Sequence, residues 1–124
     1  MKQLLLFNTS DSLKQAIENL CFSQEVIVKH ITKDQFGLPL GVLAGILKSQ
    51  GENVSSIGKS LSDEMFLFVD FDQKSLSDFL TKYRNSGLLK VNLKAGLTPN
   101  NVTWNVYMLH EELMKEYIAM SKLK

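Results

Sequence analysis

The side chains able to do chemistry are few and poorly grouped. His30 and His110 are the two histidines. His110 opens the run HEELM, whose fifth position is Met114, so the HExxH spacing of a zinc hydrolase is not met. His30 sits among apolar neighbours, the setting of a packed histidine rather than of a general base. Cys21 is the single cysteine, without a ligand partner in spacing, and falls near a helix end, where a thiolate is not favoured. Asp70 and Asp72, in VDFD after an apolar run, could form a carboxylate pair or hold a cation. The plainer reading makes Asp72 a helix cap and leaves Asp70 in water. No serine stands in a GxSxG elbow, and neither GxGxxG nor GxxxxGK[ST] occurs. Hence no catalytic residue, metal or cofactor is assigned, and the sequence does not support an enzyme.

One stretch could take a small anion or a nucleotide. In LKAGLTPNNVTW, Gly96 and Pro99 punctuate a turn, and Thr98, Asn100 or Asn101 could cap the helix that follows. The first backbone N–H groups of a helix, with the positive end of its dipole, favour an anion. Lys94 would add charge and Trp104, in the first turn, a stacking wall. The competing account is ordinary capping, with Trp104 packed on the protein's own sheet or on the glycine-spaced helix.

The elements that must position these residues alternate. An apolar run at 3–8 precedes a capping cluster, TSDS, and a helix with Leu13, Ala16, Ile17 and Leu20 inward. EVIVKHIT alternates as a strand, and TKDQ has the capping-box pattern. The segment 51–64, rich in Gly, Ser and charge, reads as a connector. The same order then repeats: a strand at 65–70, a helix with Leu76, Phe79, Leu80 and Tyr83 inward, a strand in LKVNLKAG and a last long helix. Set side by side, LLLF at 4–7 lies over MFLF at 65–68. The expectation is an α/β or α+β domain over 1–124, a four-stranded sheet with four helices, in two similar βαβα halves at about 1–50 and 65–124.

Two helices stand out. In FGLPLGVLAGIL, Gly37, Gly41 and Gly45 recur every four residues on what reads as an apolar helix over 39–50. Each interior glycine costs a helix about 1 kcal/mol against alanine. Three on one face therefore imply close packing, against the sheet, a second subunit or a ligand. The last helix carries Val102, Val106, Leu109, Leu113, Tyr117 and Met120 at spacings of four and three, a near-heptad stripe. Exposed apolar surface at Tyr107, Met108 and Tyr117 would mark a partner.

At 124 residues, 44% hydrophobic and 22% charged, the chain fits one globular domain. A formal charge of +1 argues against a dedicated nucleic-acid binder. A lone cysteine fits a reducing compartment, the start lacks a signal-peptide pattern, and the longest apolar stretch is too short to span a bilayer. A cytoplasmic protein off the membrane is the expectation.

Pro39-Leu40-Gly41 with Leu43 and Gly45, and Leu93-Lys94-Ala95 with Leu97-Thr98-Pro99, Asn101 and Trp104, carry a resemblance. Read as PLGxLxG and LKAxLTPxNxxW, they resemble a family of small Firmicute proteins known as a domain of unknown function. Gly96 departs from the larger apolar residue expected there. The resemblance implies a bacterial cytosolic protein and a compact α/β domain, and brings no activity. The first-choice function is a non-enzymatic interaction or regulatory module, a homodimer through the last helix or the glycine-spaced one. The alternative is a small-ligand binder or enzyme using the turn from Lys94 to Trp104.

Overall fold

The structure, a computed structural model, describes residues 2–22, 24–48, 61 and 63–122. Four strands, β1 (Lys2–Phe7), β2 (Val26–Ile31), β3 (Met65–Val69) and β4 (Leu93–Gly96), form one mixed sheet in the order β2-β1-β3-β4. The helices are α1 (Asp11–Cys21), α2 (Leu40–Leu43), α3 (Gln73–Asn85) and α4 (Val106–Lys122). The class is α+β. Most of the predicted connector, 51–60 and 62, lies outside the described residues.

β1 and β3 are the central strands, paired antiparallel with Leu5 opposite Leu67. Each runs parallel to its own outer strand, Leu4 opposite Val28 and Phe66 opposite Lys94. Both central strands are covered on both faces, which is why LLLF and MFLFV show no alternation. On one face Leu4, Leu6, Phe66 and Phe68 pack under α1 and α3, whose Ile17, Cys21, Phe79 and Tyr83 fill the layer. On the other, Leu5, Phe7, Met65 and Leu67 meet Leu40 and Leu43 from α2 and Val106 and Leu109 from α4.

β1–α1–β2 and β3–α3–β4 use equivalent residues at equivalent places. Asn8 and Asp70 leave the central strands with the same left-handed φ of 61°. Ser10 and Asp72 then cap α1 and α3, accepting from the N–H of Leu13 and Ser75. Leu4 and Leu6 share a layer with Phe66 and Phe68, while Met65 faces the opposite layer. The side-by-side placement of Leu4 over Met65 is therefore one residue out of step, and in a strand that slip exchanges the faces.

Three boundaries differ from expectation. β4 begins at Leu93, opposite Met65, the first residue of β3, so Val91 has no strand partner although it is buried. α2 is a single turn rather than a helix over 39–50, because Gly45 takes φ +79° and Ile46 and Leu47 fold back to donate to the Gly41 carbonyl. α4 begins at Val106, capped by the Asn105 carboxamide, which accepts from the Met108 N–H at 2.9 Å. Val102 and Trp104 precede it, and their carbonyls serve α2 instead of a helix of their own.

Candidate functional site

The turn between β4 and α4 is built from its own side chains. The Thr98 hydroxyl accepts from the N–H groups of Asn100 and Asn101, both at 3.2 Å. Buried Asn101 accepts from the Thr98 N–H at 2.9 Å and donates to the Gly96 carbonyl at 3.0 Å. Thr32 and Gln35 make the corresponding bond after β2, the Thr32 N–H donating to the Gln35 carboxamide at 3.2 Å. Thr98 and Asn101 thus brace a turn rather than cap α4, and Asn100 stands exposed beside them.

Trp104 is half-buried against the layer that α2 and α4 share. Its carbonyl accepts from the Leu40 N–H at 2.7 Å, and the Val102 carbonyl from Gly41 at 2.8 Å. In return Val106 donates to the Phe36 carbonyl at 3.0 Å. These bonds stitch the starts of α2 and α4 together. The Val106 and Met108 N–H groups that would meet an anion already have acceptors.

Lys94 leaves this group altogether. Its ammonium donates to the Val91 carbonyl at 2.6 Å and lines a cleft between α3 and β4, with Leu76 and Leu80. Burial first, and then the neighbouring Lys90, hold its pKa below the ordinary lysine value. The cleft has a volume of about 680 Å³ and adjoins a second of about 330 Å³ that shares Leu76, Leu80 and Lys94. Arg84, Leu88 and Lys90, which sequence reasoning misses, complete its wall. The signal available for them is the long NSGLLKVN connection before β4.

The three glycines do not share a helix face. Gly37 lies in the turn before Pro39, and Gly45 ends α2. Gly41 sits in close packing, where a Cβ would lie 2.6 Å from Val102 Cγ2 and 2.7 Å from Leu47 Cδ1, whereas a Cβ on Gly45 would meet nothing within 4 Å. On α4, Tyr107 is half-buried, edge-on to Phe36 at 5.9 Å. Met108 and Tyr117 are exposed.

Residues 64–120 match the family model of a domain of unknown function, DUF3783. The DUF3783 region begins one residue before β3 and runs nearly to the end of α4, so it holds the Lys94 cleft, the braced turn and the exposed part of α4. LKAxLTPxNxxW lies inside it and PLGxLxG outside. No curated protein and no solved structure matches the chain.

The residues of obvious reactivity lie both inside the matched stretch and outside it. Cys21 is buried, and burial pushes its thiol up to about 11 despite Lys82, which favours the protonated thiol at neutral pH. His110 is half-buried on α4, its pKa lowered by burial against the opposing charge of Asp63. Asp72 is engaged in capping α3. Among the described residues no three His, Cys, Asp or Glu side chains gather into a metal site, and no helix is long and apolar enough to cross a membrane.

Proposed function

We propose that this protein is a non-enzymatic interaction module that pairs with a second copy of itself through the far half of α4. The observation that carries this reading is the continuity of one apolar stripe. Leu109 is 2% exposed under the helix, Leu113 is half-buried, and Tyr117 and Met120 on the same stripe are 44% and 64% exposed. From Lys115 to Ser121 every residue is exposed. A helix surrounded by water gains nothing from keeping its core-facing pattern. Spacings of four and three are those by which two helices interdigitate. Glu111 and Lys115, paired at 3.7 Å, occupy the opposite side, with Glu112, 3.6 Å from Lys115, on the flank, and all three are exposed.

Sedimentation velocity between about 1 µM and about 1 mM, the range of modest interfaces, tests it. The expected result is a dimer that Tyr117→Ser with Met120→Ser converts to a monomer of unchanged circular dichroism. Wild-type protein that sediments as a monomer throughout, or a double variant that remains dimeric, would overturn the reading.

A further inference from the structure

We infer that the cleft between α3 and β4 binds an amphipathic anion, a carboxylate carrying a flexible aliphatic chain, as a medium-chain fatty acid does. Its volume, about 680 Å³, falls in the range of small-molecule sites, and a second cavity of about 330 Å³ adjoins it. The larger part joins aliphatic wall, from Leu76, Leu80, Leu88 and Val91, to the cations Arg84, Lys90 and Lys94, and no acidic side chain lines it among the described residues. Its remaining lining is neutral, and Asp70 lines the adjoining cavity.

Charge and apolar surface are arranged here for one kind of occupant. Leu76, Leu80 and Leu88 are half-buried, so each keeps apolar surface toward the cleft. Lys94, at the junction of the two cavities, is half-buried too, with the neutral Val91 carbonyl as acceptor. A bound carboxylate would supply the opposite charge that offsets both the desolvation of that ammonium and its repulsion by Lys90. The aliphatic chain would cover the leucines. The corresponding cleft at the other edge of the sheet, between α1 and β2, is lined by Glu18 and Glu25 with no lysine. The basic character therefore belongs to this cleft and not to the fold plan that both edges share. Tyr83 fixes the wall by donating its hydroxyl to the Leu89 carbonyl at 2.5 Å.

The test is an amide NMR titration of the full chain with octanoate, with 1-octanol and octylammonium as probes of the same chain length. Octanoate is expected to shift the amides of Leu76, Leu80, Leu88, Val91 and Lys94, and octylammonium to leave them in place. Lys90→Gln with Lys94→Gln should weaken octanoate by about tenfold or more while leaving 1-octanol binding unchanged. Lys94→Arg should retain octanoate binding, which separates loss of charge from loss of fold. Octanoate and 1-octanol binding equally well, octanoate shifts confined to other surfaces, or no shifts at all would overturn the inference. The α4 variants should bind octanoate as the wild type does, so failure of self-association and failure of this site are distinguishable.

Discussion

At the β2 edge the chain passes from α1 into its strand through residues 22–25, and at the β4 edge it takes residues 86–92 to pass from α3 into β4. Up to that point the units are alike: central strand, left-handed residue, capped helix, buried pairs Ile17 with Cys21 and Phe79 with Tyr83. After it they diverge. The longer connection brings Leu88 and Lys90 to the cleft wall, and the edge becomes basic where its counterpart carries Glu18 and Glu25. The last helices diverge as well. α2 and α4 begin on bonds to each other's approach segments, yet α2 stops after one turn at Gly45, and α4 continues for 17 residues. What one plan shares serves the core, and what differs is surface. The longer connection and nearly all of the longer last helix fall within the stretch that matches DUF3783, which is where the proposed interface and the proposed anion site lie.

If the shared plan is one core, damage in either unit must unfold both. Phe79→Ala should cost about 3–5 kcal/mol and Ile17→Ala about 2–5 kcal/mol, since both side chains are fully buried. Urea unfolding followed by far-UV circular dichroism and by Trp104 fluorescence should give coincident single transitions for both variants. A biphasic curve in which only one unit melts would break the comparison at its root, because β1 and β3 would then not be acting as a common centre.

The stitched helix starts give a smaller effect. Gly41→Ala places a methyl against Val102, which is stiff, and Leu47, which can turn away, and should cost about 1–3 kcal/mol. Gly45→Ala meets no atom within 4 Å but imposes φ +79° on an L-residue, for about 1–2 kcal/mol. Thermal melts of both would show whether close packing or backbone conformation is the stronger reason for these glycines. A Gly41→Ala protein as stable as the wild type would mean that the α2–α4 seam is looser than the contact implies.

The strand–helix alternation was legible because α1 and α3 carry helical periodicity with Ser10 and Asp72 at their caps, and short apolar runs stand before each of them. The site was less so. Four-residue glycine spacing suggests a helix face, but a single left-handed glycine ends a helix, and φ is not written in spacing. Thr98 and Asn101 read as caps because they are capping residue types; their bonds to each other and to Gly96 depend on where β4 ends. Lys94 stands out in the sequence for its charge, yet its surroundings are set by α3, nine to twenty-one residues earlier in the chain. Leu88 and Lys90 are visible only once the connection is seen to be longer than its counterpart. Separation along the chain hides a cleft, while periodicity reveals a core.

Tyr83 offers a way to sharpen the difference between the edges. Its hydroxyl holds Leu89, whereas Cys21, in the same place under α1, meets its connection through its backbone carbonyl, which accepts from the Gln24 N–H at 3.0 Å. Tyr83→Phe should cost about 1 kcal/mol and speed amide exchange at 88–92 while leaving exchange at 24–25 unchanged. Equal protection in variant and wild type would remove the anchor from the account of the cleft wall.

The gentlest distinction is between the two caps. Ser10→Ala should cost about 1 kcal/mol at every pH, since a hydroxyl does not titrate in the working range. Asp72 is different. The Ser75 backbone N–H, and then the Ser75 side chain, hold its carboxyl below the ordinary 3.8. As pH falls, the unfolded chain therefore takes up its proton first, near 3.8, while the folded cap is still ionised. The stabilisation is present above 3.8 and is lost as pH drops through the lower folded value. Stability of the wild type minus that of Asp72→Asn, measured in urea from pH 6 down, should be flat to about pH 4 and then shrink. The corresponding difference for Ser10→Ala should stay level over the same interval. A difference for Asp72 that also stayed level would show that its carboxylate caps α3 no better than a neutral side chain, and the two helix starts would then be equivalent in energy as well as in geometry.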